Sequence, residues 1–366
     1  TGRAASLAAG SRQALALMAP QSPRGMGALC RRLPKVELHA HLHGSARLCT
    51  IADLAPPGVD QALLTSDTER SLEGCFAIFG AIHRTVTTLA AVRRITAEVL
   101  SDFAAENVKY LELRTTPRAL ADADIEGYVR AVLDVFEQFE LDARDRGTAF
   151  PLVPRLLLSV DRSADLAAAH ATVALASRLL AEGGVGRYVV GIDFSGNPTV
   201  SGFAQFAEAF AAARDAGLHI VVHTAEVAND ADTDAILAFR PDRLGHALHL
   251  SAAHVAALQA APIPIELCPT SNMKTLRLSR LADHPTLRRW IEGGYPVSIS
   301  TDDVGVFSTD ASAELALVAD ALGLPPRRIA ELAAAALGHG LDVDAALRRR
   351  FCADVEAALA EALAPE

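Results

Sequence analysis

Short apolar runs alternate with longer alanine-rich stretches along most of this 366-residue chain. Eight runs have the length and composition of strands: Lys35–His41, Lys109–Thr116, Leu152–Asp161, Tyr188–Gly196, His219–Glu226, Arg243–Leu248, Ile263–Pro269 and Pro296–Asp303. The stretches between them place apolar residues at helical spacing. Strand and helix signals in alternation imply parallel strands joined by crossover helices, and eight such units predict an α/β fold, a (β/α)8 TIM barrel. No internal repeat or low-complexity linker divides the chain, so residues 34–366 are expected to form one domain. The segment 42–108 is too long for one crossover. It carries helical patterns over Ser71–Val86 and Ala91–Glu106, and this insertion after the first strand is expected to cover the barrel mouth as a helical lid bearing His83. Beyond Asp310, alanine and leucine at helical spacing predict packing helices broken near Gly338 and Gly340.

Polar residues collect where the runs end, the face on which barrel enzymes build their sites. At the end of the first run and just beyond it, His39, His41 and His43 occupy every second position. Alternate side chains of a strand face the same way, so His39 and His41 present their imidazoles to one space. Three other runs stop at comparable chemistry: Val221-Val222-His223 leads to Glu226, Arg243-Leu244-Gly245 to His246, and Val297–Thr301 to Asp302 and Asp303. Imidazole nitrogen and carboxylate oxygen are zinc ligands, and a catalytic zinc keeps one coordination position open. His39, His41, His223 and Asp302 are the candidate ligands. A partly desolvated Glu226 close to a metal can stay protonated and act as a proton donor. His246 is placed either to take a proton from the attacking water or to orient it. Asp303, the strand neighbour of Asp302, is expected to face the other way and meet substrate. Arg114–Arg118, Asp161, Ser195-Gly196-Asn197 and Thr270-Ser271-Asn272 complete a polar rim suited to substrate.

Composition narrows the function classes. Hydrophobic residues make up 51% of the chain, enough for a large core, and the net charge of −10 argues against a nucleic acid polymer as partner. A small anion in a local pocket stays compatible with that charge. The five cysteines are scattered and odd in number, which suits a reducing compartment and excludes a cysteine-based zinc cluster. No stretch approaches the roughly 20 unbroken apolar residues of a membrane span. A soluble, cytoplasmic protein without a membrane partner is therefore expected. Residues 1–33 carry Arg3, Arg12, Arg24, Arg31 and Arg32 and no acidic residue, which reads as a disordered or targeting-like extension, with an organellar address as the alternative.

Five motifs in order, His39-Ala40-His41, His223-Thr224-Ala225-Glu226, Gly245-His246, Cys268-Pro269-Thr270-Ser271-Asn272 and Ser300-Thr301-Asp302-Asp303, resemble the adenosine/AMP deaminase family of metal-dependent barrel hydrolases. The resemblance runs from about residue 34 to the C-terminal helices. Leu33–Leu42, Lys109–Arg118 and Thr301–Phe307 are most similar to its adenosine deaminase-like branch, the N6-methyl-AMP deaminases. The resemblance implies one zinc ion per chain and a purine nucleotide substrate. It also implies hydrolytic removal of methylamine from N6-methyl-AMP to give IMP, and a monomer is expected. Carried over by position, it implies His39, His41, His223 and Asp302 as zinc ligands, Glu226 as proton donor and His246 as the residue serving the attacking water. Asp303 and Gly196 would meet the purine. His41, His43, His83, Thr115, Thr116, Pro117, Arg118 and Asp161 fall where that branch lines its nucleotide pocket.

Two departures from the pattern bear on substrate. His43 replaces the asparagine usual in that branch and the aspartate of adenosine deaminases proper. An aspartate would repel a 5′-phosphate, whereas histidine would accept it. Asn197 replaces the aspartate common after Gly196. Arg118 can grip a phosphate bidentately. The competing readings are a deaminase of free adenosine, another hydrolase of the superfamily, and a catalytically silent zinc- or purine-binding protein. His43 with Arg118 speaks against the first, and the strand-five pattern against the second. Intact Glu226 and His246 beside an open metal position speak against the third.

Overall fold

The alternation resolves, in a computed structural model that describes residues 25–65 and 71–364, into eight parallel strands. They are β1 (Lys35–His41), β2 (Val108–Thr115), β3 (Val153–Asp161), β4 (Val189–Ser195), β5 (His219–Thr224), β6 (Arg243–His246), β7 (Ile265–Leu267) and β8 (Val297–Ile299). Each pairs with the next in sequence order. A bridge from Ala40 to Asp302 joins the end of the sheet to its beginning: His41 N donates to Asp302 O (3.0 Å) and Asp302 N to His39 O (2.8 Å). The barrel thus closes through the segment that carries Asp302.

Several strands end early, and the reasons are local. β7 stops at Leu267 because Pro269 cannot donate to a ladder but suits the first turn of the helix Pro269–Thr275. β5, β6 and β8 give way to left-handed residues: Ala225 (φ 54°), His246 (φ 60°) with Ala247 (φ 53°), and Asp302 (φ 65°). Side chains with a Cβ adopt this region at a cost, and such residues gather at functional sites. Here they turn the backbone aside at or next to Glu226, His246 and Asp302.

The helices bury one stripe each against the strands. Ile125–Asp145 packs Tyr128, Val129, Val132, Leu133 and Phe136 inward, and its first turn is capped by Asp124 Oδ1, which accepts from Gly127 N (2.8 Å). The segment after β1 contains the helices Leu72–Thr85 and Leu89–Ala105, close to the spans expected, with Ser71 and Thr88 as N-caps. The C-terminal helices Pro326–Ala336 and Ala345–Leu363 are separated by a turn at Leu337–His339, where the glycines foretold a break. Residues 25–33 do not belong to the disordered or targeting-like extension expected over residues 1–33. They instead hold a helix, Met26–Arg32, with Leu29, Cys30 and Leu33 buried in the core. Lys35 Nζ ties its end to the barrel by donating to Cys30 O (2.7 Å) and Leu33 O (2.8 Å). The rest of the expected extension, residues 1–24, lies outside the described residues. Among the described residues no helix is long and apolar enough to cross a membrane.

Candidate metal and catalytic site

One atom each from His39, His41, His223 and Asp302 lies within 4.8 Å of every other, at the mouth of the barrel. Asp302 Oδ1 is 3.4 Å from His39 Nε2 and 3.5 Å from His41 Nε2, and the Nε2 atoms of His41 and His223 are 3.1 Å apart. The far side of two rings fixes which nitrogen carries hydrogen. His39 Nδ1 donates to Glu266 Oε2 (2.7 Å) and His223 Nδ1 to Phe194 O (3.1 Å), with Asp193 Oδ1 also 3.1 Å from it. Both Nε2 lone pairs are then directed into the cluster, and His39 Nε2 is buried without a hydrogen-bond partner. Convergent lone pairs around one carboxylate suit a divalent cation, and outer partners of this kind orient metal-binding imidazoles. A second quartet, His39, His246, Cys268 and Asp302, is equally compact. Burial, with Asp302, Glu37 and Glu266 nearby, pushes the Cys268 thiol well above its ordinary pKa, so it offers a protonated sulfur and the imidazole set fits a metal better.

The candidate ligands stand on a charged scaffold inside the barrel. Arg114 bonds Asp193 Oδ1 (3.1 Å), Glu266 Oε2 (2.8 Å) and the Leu38 carbonyl (2.6 Å). Arg243 bonds Glu266 Oε1 (2.6 Å) and Glu112, and Ser159 Oγ donates to Asp193 Oδ2 (2.8 Å). Glu37 fastens the closure by accepting from His39 N (2.9 Å) and from Thr301 N (3.0 Å) and Oγ1 (2.9 Å). Gly245 is required by this packing, since a Cβ there would come within 2.9 Å of the His39 ring. Arg114, expected on the rim, is fully buried and acts through His39 and His223. Glu266, Asp193, Arg243, Glu112 and Glu37 were not foreseen. The signal available was a charge at an inward-facing position of an otherwise apolar strand.

Glu226 and His246 flank the ligands. Burial is the main cause that raises the Glu226 carboxyl, against the pull of His223, and Glu226 Oε2 has no hydrogen-bond partner. Burial also drives the His246 imidazole well below its ordinary value, so the ring is neutral. Its Nε2 lies 3.8 Å from Glu226 Oε1, and its Nδ1 is 3.1 Å from Asn272 Nδ2. Ser271 Oγ donates to Asp302 Oδ2 (2.6 Å). Ser271 and Asn272, read as rim positions for substrate, therefore also hold a ligand and a catalytic candidate. Asp302 and Asp303 are not set apart by strand alternation as expected: the strand ends at Ile299, Asp302 is left-handed, and the two carboxyls lie beside one another. Both line the cavity, Asp303 with an unpartnered Oδ1, and burial beside Asp302 raises its carboxyl well above the usual range.

These groups open into a cavity of about 380 Å³. His41, His43, His83, Thr115, Thr116, Arg118, Asp161, Gly196 and Asp303 line it, as do the apolar Phe76, Phe79 and Leu248. Pro117, expected among them, does not; its fixed φ lies between two residues that do. Gly196 (φ 100°) backs directly on the Asp161 carboxylate, which a Cβ would approach to 2.7 Å. His43 and His83 meet edge to face at 5.3 Å. Burial is the chief cause that lowers both, His83 to about 3, with Arg118 adding to it. Arg118 has no ion pair among the described residues and is itself lowered by burial. Tyr128, not foreseen, supports this wall through a hydroxyl bond to Thr115.

A family profile described as adenosine deaminase matches residues 34–357. The N6-mAMP deaminase of Arabidopsis thaliana is 39% identical over 331 residues, 83% of this chain and 91% of that protein. The human N6-methyl-AMP deaminase is 34% identical over 317 residues, 82% of this chain and 86% of its own length. The solved structure of Arabidopsis ADAL complexed with IMP superposes with a TM-score of 0.81 at 35% identity, covering 91% of this chain and 99% of that one.

Proposed function

The chain belongs to the adenosine deaminase family, and from that premise we propose that it hydrolyses N6-methyl-AMP to IMP and methylamine, using one zinc ion per chain. What carries the reading is the meeting, at one cavity, of the His39–His41–His223–Asp302 cluster with Arg118, a cation that has no ion pair among the described residues. A zinc ion held by these four residues would supply Lewis acidity and make a water acidic enough to attack near neutral pH.

The protein's own groups divide the remaining work. Glu226, whose carboxyl burial raises, gives its proton to purine N1, so the ring nitrogen absorbs the charge that attack at C6 creates. His246 serves the attacking water. Asp303 and Gly196 meet the purine, with Asp161 behind the glycine. Arg118 takes the 5′-phosphate, and neutral His43 and His83 beside it present no like charge to repel that group. In net balance the water oxygen stays on C6, one of its protons ends on N1, and the other leaves with methylamine. The helices between β1 and β2 contribute Phe76, Phe79 and His83 to the wall and serve as a lid.

The test is an absorbance assay of zinc-loaded protein against N6-methyl-AMP, AMP, N6-methyladenosine and adenosine at equal concentration. The expected result is turnover of N6-methyl-AMP far above the other three. Faster turnover of adenosine would overturn the substrate assignment, and a zinc-loaded protein with no turnover of any of them would favour a silent binder.

A further inference from the structure

We infer that Asn272 and His284 are positioning residues that hold His246 in the Nε2–H tautomer, so that His246 gives a hydrogen bond to the attacking water and does not accept its proton. The consequence for catalysis rests on the deaminase reading above; the geometry does not. It starts at the backbone, where the N–H groups of Thr286 and Leu287 both donate to His284 Nδ1 (3.2 and 3.0 Å). Backbone amides cannot reverse their polarity, so this nitrogen is an acceptor and the neutral ring carries its hydrogen on Nε2. His284 Nε2 then donates to Asn272 Oδ1 (3.2 Å). With its oxygen so engaged, Asn272 turns its amide nitrogen to His246 Nδ1 (3.1 Å), which must accept. The remaining hydrogen of neutral His246 is on Nε2, the nitrogen that faces Glu226.

The opposite arrangement fails at every link. Hydrogen on His246 Nδ1 would face the Asn272 amide nitrogen donor to donor. Turning the amide over would set that nitrogen against His284 Nε2–H. Moving the His284 hydrogen to Nδ1 would press it against two backbone N–H groups. Asn272, His284 and His246 are all buried, so water offers no easy substitute partner. No proton moves to or from His246 Nε2 in the step: Glu226, having given its proton to N1, takes one from the attacking water, and the ring acts as a preorganised donor to that oxygen.

The experiment is nitrogen NMR of full-length, zinc-loaded protein labelled with 15N-histidine, the His246 signals being identified by their loss in His246→Gln. The wild type should show a hydrogen-bearing Nε2 and a bare Nδ1 at His246. Asn272→Asp keeps the shape of the side chain but replaces the amide donor with an acceptor, so Nδ1 of His246 should gain hydrogen. That change should lower kcat by about 100-fold while KM moves less than about twofold. A wild-type spectrum with hydrogen on Nδ1 would overturn the tautomer assignment without recourse to any variant. An Asn272→Asp protein that gains the Nδ1 hydrogen yet keeps its kcat would overturn the donor role. If wild type turns over no purine, the deaminase reading and the catalytic half fall together, whereas the spectrum still decides the tautomer.

Discussion

The barrel interior and the barrel mouth both bury charged and polar side chains, and they differ in whether these groups satisfy one another. In the interior, Glu112, Arg114, Asp193, Arg243 and Glu266 are fully buried, and of their side-chain nitrogens and oxygens only Arg114 Nε lacks a partner. At the mouth, on β1 and beyond the ends of β5 and β8, His39 Nε2, Glu226 Oε2 and Asp303 Oδ1 are buried without hydrogen bonds. A buried polar atom without a partner is costly to keep. The interior charges therefore serve rigidity, and the mouth atoms are directed at something from outside the chain.

That contrast can be broken from either side. The largest effect is expected from Asp302→Ala, which removes the one carboxylate among the candidate ligands: metal content should fall well below one per chain and turnover below detection, with the fold retained by circular dichroism. Metal analysis and the deaminase assay check it, and a variant that kept both metal and rate would remove Asp302 from the site. Next is Glu226→Gln, for which kcat should drop by about 10²–10⁴ with little loss of stability. The pH profile carries the sign. Burial raises the Glu226 carboxyl, and the working form is protonated, so the wild-type rate should be full below that raised pKa and fall as pH rises through it. Any activity left in Glu226→Gln should lack this alkaline limb.

On the interior side, Glu266→Ala strands the Arg114 and Arg243 guanidiniums and frees His39 Nδ1. Removing one partner of a buried ionic network costs about 3–5 kcal/mol, so denaturant unfolding should show a loss of that order. A loss under about 1 kcal/mol would mean that the network does not bear on stability as its pairing suggests. The smallest effect belongs to Arg118→Ala, at the cavity wall. With one charged phosphate contact gone, about 1.5–3 kcal/mol of binding should disappear, seen as a higher KM for the nucleotide. The residual rate on the nucleoside should not change, and an unaltered KM for the monophosphate would end the phosphate role.

Much of this molecule was legible in the chain. The first strand was found at its observed limits, Lys35–His41, because a seven-residue alternation closed by histidines has no competing helical pattern. The last two strands were read too long, because the polar ends of Ile263–Pro269 and Pro296–Asp303 continue the apolar rhythm after the backbone has left the sheet. Arg114 was assigned to the rim from its neighbours Thr115 and Thr116, although its own position on β2 faces the interior. Ser271 and Asn272 offered only a polar tripeptide, with no hint that each would bind a different side chain of the site. The partners of Glu266 were out of reach for a simpler reason: it meets His39 across 227 residues of chain.

What the sequence alone determined is whatever depends on local periodicity and residue chemistry. Alternation at two and at three to four residues specified strands and helices in an order that permits an eight-stranded barrel, and imidazoles two apart put two candidate metal ligands on one face of a strand. Tertiary structure decided which charges neutralise each other and which stay unpaired, which nitrogen of His246 carries hydrogen, and that Arg118 lines the cavity with no ion pair among the described residues. Those outcomes depend on distances set when the sheet closes on itself at Ala40 and Asp302. Hydrogen bonding is decided over a few tenths of an ångström, a precision that no spacing along the chain contains.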